Sequence, residues 1–211
     1  MFSFCEQILE IKLNCAYYLI GILEMEDVDE MVRKVNSTIR DFKLEIRKGV
    51  DEGTQVTYYA LVNLVDNAIT RLSSLYKPIH LEYFKKVVAA LVVSPNGCIS
   101  FNCALNLTQE ITDHIIKIGE ADSLLEKWLE EKYLAKTKDN CNLYLGARST
   151  MELDLYLKEY FPQNVKECNL CKFICIRGTC CEFCSAKLHS HCAEKYFSRI
   201  QVCPNCGKTR N

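Results

Sequence analysis

The sequence predicts an α+β chain in three parts: two domains that each join helices to a two-stranded hairpin, and a small cysteine-rich module at the C-terminal end. Three observations predict it. Apolar spacing switches from helical to alternating and back, twice, before residue 162. Of the 14 cysteines, nine lie in the last 44 residues: Cys168, Cys171, Cys175, Cys180, Cys181, Cys184, Cys192, Cys203 and Cys206. The charge changes at the same place, from 19 Lys+Arg against 25 Asp+Glu in residues 1–167 to 7 against 2 in residues 168–211.

The bulk composition bounds the rest. A length of 211 residues, 49% hydrophobic and 25% charged, leaves room for one or two ordinary domains with a real core. Eight Gly and four Pro exclude a collagen-like or largely disordered chain. A net charge of −1 excludes binding nucleic acid by sheer positive excess. The N-terminus has no basic stretch, and the apolar run Cys15–Leu23 is too short for a membrane span of about 20 residues. These features predict an intracellular, reducing setting, where clustered cysteines hold metal rather than each other.

In order along the chain, Val28, Met31, Val32, Val35, Ile39 and Phe42 recur at helical spacing, with Asp27 and Glu30 placed as a capping box. Leu44 and Ile46 then alternate with Glu45 and Arg47, Asp51-Glu52-Gly53 reads as a turn, and Val56, Tyr58 and Ala60 alternate again: a β-hairpin. A helix is expected next, with Leu61, Leu64, Val65, Ala68, Ile69, Leu72 and Leu75 on one face, ending before Pro78.

A similar order follows. One helix carries Leu81, Phe84, Val87, Val88 and Leu91 and breaks at Pro95-Asn96-Gly97. A weaker helical stretch is expected over 103–118, then a strong helix with Ala121, Leu124, Leu125, Trp128 and Leu129. A short hairpin pairs Tyr133–Lys136 with Leu143–Leu145 across Lys138-Asp139-Asn140. Ser149-Thr150-Met151-Glu152 reads as the capping box of a last helix through Leu153, Leu157 and Tyr160, ended by Pro162.

Helices followed by a two-stranded wing, twice over, read as tandem winged-helix domains, 1–78 and 79–162, with a polar linker at 163–167 and a zinc module at 168–211. A winged helix often places a helix in DNA. Here the helix before the second wing carries Glu120, Asp122, Glu126, Glu130 and Glu131 against Lys127 and Lys132, which repels phosphate. Contact with protein, and little affinity for duplex DNA, is the expectation.

In the last module, Cys168/Cys171, Cys181/Cys184 and Cys203/Cys206 are C-x2-C pairs, and His189/Cys192 is an H-x2-C pair. Two intervening residues let one tight turn aim both ligands at a single metal, so four pairs give two closed tetrahedral zinc sites. The pairs could fill in sequence or in a cross-brace, with Cys168, Cys171, His189 and Cys192 on one zinc and Cys181, Cys184, Cys203 and Cys206 on the other. The order of four cysteines, one histidine and three cysteines resembles that of cross-braced RING-variant and PHD fingers, which favours the second. Cys175 and Cys180 read as free thiols and His191 as a surface or supporting histidine. No residue reads as a catalytic nucleophile.

With these ligands, the segments Glu45-Ile46-Arg47-Lys48-Gly49-Val50, Tyr59-Ala60-Leu61-Val62-Asn63-Leu64, Met151-Glu152-Leu153 and Tyr160-Phe161-Pro162 resemble the RING-like, winged-helix non-SMC element subunit of the structural-maintenance-of-chromosomes complex that serves DNA repair. The resemblance runs from about residue 26 to 206; residues 1–25 match poorly, so the first winged helix is expected to start atypically. It implies a MAGE-like winged-helix partner and a kleisin partner. It also implies a RING-type E3 ubiquitin ligase that holds a ubiquitin-charged E2 enzyme, acting in DNA repair and recombination on chromosomes in the nucleus. On such a finger Leu170 and Pro204 would face the E2. Two features depart from the pattern: Gly207 stands where many active RING fingers have Arg or Lys, and the spacing around His189 is closer to that of a PHD finger than of a standard RING. Against a histone-reading PHD finger, Gln201 stands where such a finger has an aromatic. A non-catalytic assembly subunit with a structural or peptide-binding finger is the alternative.

Overall fold

Apolar residues at helical spacing form α1 (Val28–Ile39), followed by a 3-10 turn through Phe42, in a computed structural model that describes residues 28–64, 72, 75–112 and 115–209. Asp27 and the poorly matching residues 1–25 lie outside the described residues. The period then changes to two, giving β1 (Leu44–Val50) and β2 (Thr57–Asn63), paired antiparallel with Ile46 opposite Leu61 and Lys48 opposite Tyr59. Helix α1 is held to this hairpin by Asn36, whose side-chain amide donates to the Ile46 carbonyl at 2.9 Å and accepts its N–H at 2.7 Å. It thereby occupies a stretch of strand edge that would otherwise need another strand.

Leu61 was expected to open the next helix. It lies instead in β2, 47% exposed, because Tyr58 to Val62 is a short apolar run whose alternation wins over the helical count. Residues 65–71, which carry most of that expected helix, lie outside the described residues.

Helix α2 (Pro78–Val93) starts with Pro at its first turn and buries Leu81, Tyr83, Phe84, Val87, Val88, Leu91 and Val92. The turn after it leads into β3 (Cys98–Ser100), a strand with no counterpart in the sequence reading. Ser100 caps α3 (Phe101–Asn106) by accepting the Cys103 N–H at 3.1 Å. The expected helix over 103–118 is therefore earlier and shorter, running on only as a 3-10 turn to Glu110. Helix α4 (Ile118–Glu130) buries Ala121, Leu124, Leu125 and Trp128. The hairpin β4 (Leu134–Lys136) and β5 (Asn142–Leu145) closes a three-stranded antiparallel sheet in the order β3-β5-β4.

Two helices follow, α5 (Ala147–Glu152) and α6 (Asp154–Tyr160). The capping box expected at Ser149 is absent, because α5 already begins two residues earlier. Ser149 is fully buried inside it and donates its hydroxyl to the Tyr133 carbonyl at 2.6 Å. Ala147 and Met151 of α5 pack against Ala60 and Val62, which seats the first hairpin on the second unit.

The segment 163–167, expected as a polar linker, is tied into the fold. Val165 is buried in the main core, and β6 (Lys166–Glu167) pairs with β7 (Ile174–Cys175). Ile174 and Ile176 join the same core as Trp128 and Leu157, so the cysteine-rich module shares apolar packing with the body. Gly97 shows how close the approach is. Its φ is +64°, and a Cβ there would meet Arg177 Cγ at 2.6 Å. Gly97→Ala is expected to destabilise the chain by about 1–2 kcal/mol, from the left-handed backbone and the contact together. A urea midpoint unchanged from the parent would contradict this. No helix among the described residues is long and apolar enough to cross a membrane.

Candidate metal centres

Three tight turns of one design carry six of the cysteines. In each, the residue after the second cysteine has a positive φ and donates its N–H back to the first cysteine's carbonyl. Lys172 (φ 65°) bonds Cys168 at 2.9 Å, Ser185 (φ 55°) bonds Cys181 at 2.9 Å, and Gly207 (φ 69°) bonds Cys203 at 3.0 Å. Only Gly207 takes this conformation without steric cost; Lys172 and Ser185 bear roughly 1 kcal/mol each to keep their turns. Gly207 is thus the residue type that its own turn favours. The fourth pair, His189 and Cys192, sits at the start of α7 (Ser190–Phe197). The turns and helix are joined by two short ladders, β6–β7 and the pair β8 (Thr179–Cys180) with β9 (Lys187–Leu188).

Folded this way, the module brings Cys168, Cys171, His189 and Cys192 into one cluster and Cys181, Cys184, Cys203 and Cys206 into another, the ligand atoms of each lying within 4.8 Å of one another. First and third pairs share one cluster and second and fourth the other, which is an interleaved arrangement. Cys181 and Cys206 sulfurs are 3.8 Å apart and Cys184 and Cys203 sulfurs 3.7 Å. That is far beyond an S–S bond of about 2.05 Å and close to the roughly 3.8 Å edge of a tetrahedron with metal–sulfur bonds of about 2.3 Å. In the first cluster His189 Nδ1 lies 3.2 Å from Cys171 Sγ and 3.9 Å from Cys192 Sγ.

The electrostatics of the donors fit a cation. Burial works against ionisation of Cys168, but N–H groups of Cys171, His189 and Leu170 outweigh it and bring the thiol down to about 6. Hydrogen bonds from the Asn205 side chain and then from the Ala186 N–H bring Cys184 down to about 6. Burial pushes Cys192 up to about 12, with neighbouring Cys171 and Cys168 adding to it. Each cluster therefore ionises partway and resists the rest, as thiols do when several share one small volume. A divalent ion at the centre removes that resistance.

The remaining candidates fall around these clusters. Cys180 is exposed on β8. His191 stacks on His189, with ring centroids 5.0 Å apart and planes at 14°. Cys175 is fully buried and forms a third grouping with His189 and Glu52. That grouping is not a separate metal site: both Glu52 oxygens accept backbone N–H groups, and His189 turns its other nitrogen to the first cluster. Leu170 is half-buried, packed on the small core of Cys168, Cys175, Leu188 and Ala193, and Pro204 is also half-buried. Phe173 and Phe183, about half exposed, add apolar surface to the module that the spacing of ligands does not reveal.

Glu52 is the residue that sequence reasoning missed. It reads as an ordinary solvated turn acid, and the backbone groups it binds lie more than 120 residues further along the chain.

Three comparisons bear on this arrangement. Residues 22–153 match the family model described as the Nse1 non-SMC component of the SMC5-6 complex. Over 186 residues the chain is 34% identical to the non-structural maintenance of chromosomes element 1 homolog of Xenopus laevis, covering 87% of this chain and 68% of that protein. The homolog of Bos taurus is 31% identical over 184 residues, covering 86% and 68%. Among solved structures, a chain of an Nse1-Nse3-Nse4 complex superposes with a TM-score of 0.71 at 34% identity, covering 90% of this chain and 81% of that one.

Proposed function

The chain belongs to the Nse1 family of non-SMC components of the SMC5-6 complex, and on that premise we propose that it is a RING-type E3 ubiquitin ligase subunit of such a complex. The observation that carries the reading is the pair of interleaved four-ligand clusters at 168–206. Two zinc ions would hold this module in shape, one on Cys168, Cys171, His189 and Cys192 and one on Cys181, Cys184, Cys203 and Cys206. With every ligand supplied by protein, zinc contributes fold and leaves no open position for chemistry. A ligase of this kind forms no covalent intermediate. It holds the E2 and its ubiquitin thioester so that a substrate lysine can attack, which is catalysis by positioning.

The body supplies the partner surface. The order α2, β3, α3, α4, β4, β5, with the sheet β3-β5-β4, supports a winged helix over 79–162, and α1 with the β1–β2 hairpin supports the wing part of a first one ending near residue 78. The solved relative is an assembly with Nse3 and Nse4, which favours counterparts of the MAGE-like and kleisin subunits as partners here. DNA repair on nuclear chromosomes is the setting this membership implies. Direct duplex-DNA affinity is expected to be weak, because α4 is acidic.

Two measurements test the site. Metal analysis of folded protein is expected to give two zinc ions per chain, a count that Cys175→Ser leaves unchanged and Cys184→Ser lowers; one or none in the parent protein refutes the assignment. For the ligase, Leu170→Ala should cut E2-dependent ubiquitin transfer about fivefold or more with both zincs retained, the effect of losing about 1 kcal/mol at an apolar contact. Transfer equal to the parent's would return Leu170 to a packing role. Basal activity is expected to be low without the partner. Gly207 offers no charge to ubiquitin, and the neighbouring Lys208 is engaged over the Phe183 ring at 4.6 Å.

A further inference from the structure

Where the first hairpin turns, an acidic residue points into the protein rather than out to water. The turn is built by Asp51, whose Oδ1 accepts the N–H groups of Gly53 at 3.1 Å and Thr54 at 2.8 Å. The same oxygen accepts the Tyr144 hydroxyl of β5 at 2.7 Å, which pins the turn to the three-stranded sheet. Gly53 lies against that hydroxyl so closely that any side chain would collide with it. Held in this way, the turn has one direction in which to send Glu52, into the cysteine-rich module.

There the carboxylate is 3% exposed and fully engaged. Oε1 accepts the N–H of Ile176 at 2.9 Å and Oε2 that of Arg177 at 2.8 Å. These two amides follow directly after the end of β7, where the ladder no longer provides acceptors. The Arg177 guanidinium stacks over the Tyr144 ring at 4.5 Å, so sheet, hairpin turn and finger meet at one point. Glu52 Oε1 also lies 3.3 Å from His189 Nε2, the nitrogen that donates to the Ile174 carbonyl at 2.8 Å. With the proton held on Nε2, the Nδ1 lone pair is left facing Cys168, Cys171 and Cys192.

A buried carboxylate is costly unless its hydrogen bonds are complete. This one is complete only while the hairpin and the finger stay docked. Metal-bound histidines characteristically give their second N–H to a carbonyl or carboxylate, which sets the tautomer and the ring angle.

We propose that Glu52 is a positioning residue that locks the finger to the first hairpin and orients His189 toward the Cys168–Cys171–Cys192 cluster, so that the partner-binding body and the first metal site act as one mechanical unit. The inference rests on the metal reading given above. It adds that the two metal sites differ: the first is supported from outside the finger, and the second, among the described residues, by the finger alone.

Cobalt as a zinc substitute tests it in the full chain, because a site with three sulfurs and one nitrogen absorbs differently from one with four sulfurs. Glu52→Gln keeps the volume and one acceptor oxygen; Glu52→Ala removes both. Both variants should weaken cobalt at the Cys168–Cys192 site by about tenfold or more, the usual effect of losing a supporting carboxylate. The four-cysteine site should stay within about twofold. Amide exchange should quicken at Ile176 and Arg177 and stay unchanged at Val87 and Val88 of the core, which shows that the variants fold. Cobalt binding and amide exchange both indistinguishable from the parent, or equal weakening of both sites, would overturn the inference alone. No cobalt uptake by the parent chain would overturn the metal reading and the role of Glu52 together.

Discussion

Stripping metal from the folded chain is expected to unfold residues 168–209 and also to weaken the body. Structural zinc sites supply about 10–16 kcal/mol of apparent binding free energy, as much as the whole stability of a typical domain, so the finger should not stay folded without them. A finger on a flexible linker would leave the body untouched. Here Val165, Ile174 and Ile176 belong to the main core, and burying each such side chain contributes about 1.5–3 kcal/mol. Their loss should lower the body's melting temperature by roughly 10 °C or more. Trp128, the single tryptophan, lies in that core and reports on the body alone. Its fluorescence transition should move down when a strong chelator is added and return with zinc. An unchanged transition would mean that the finger and body are energetically independent.

Trp128→Ala carries the other large effect. The indole is 1% exposed and packs against Phe84 at 4.9 Å, Tyr83 at 5.4 Å and Tyr76 at 6.2 Å between ring centroids. Removing it leaves a cavity between α2 and α4 and should cost about 3–5 kcal/mol. Circular dichroism in urea should show the midpoint falling by about 1–2.5 M, given a slope of about 2–3 kcal/mol/M, the upper part of the range for small proteins. A loss under about 1 kcal/mol would show that the aromatic cluster is not the centre of the core.

What could be read from the sequence was whatever is local. The C-x2-C turns are set within five residues by their own hydrogen bonds, so spacing alone reveals them. Helices α2 and α4 are long, and their buried faces repeat with the helical period. The hairpins announce themselves by alternation and by Asp51-Glu52-Gly53 and Lys138-Asp139-Asn140 at their turns. Features that depend on distant partners were not legible. Cys98-Ile99-Ser100 is a strand only because β5 returns beside it. Ser149 fits a capping box by pattern, yet the buried Tyr133 carbonyl claims its hydroxyl. Residues 163–167 look like a linker because their polar side chains outnumber Val165, the one that is buried. Glu52 carries no local sign of its role, since the turn that surrounds it is ordinary and the amides it serves belong to another part of the chain.

The central claim is that the finger works as a ligase on a partner-bound body, and ubiquitin discharge from charged E2 enzymes measures it most directly. The zinc-loaded chain with its winged-helix partner, presented with a broad panel of E2 enzymes and free lysine, should discharge at least one of them faster than the E2 alone does. It should do so more strongly with the partner than without it, and a metal-stripped sample should lose the effect. Discharge no faster than the E2-only control for every E2 in the panel, with two zincs bound and the partner in place, would contradict the claim and leave the chain an assembly subunit with a structural finger.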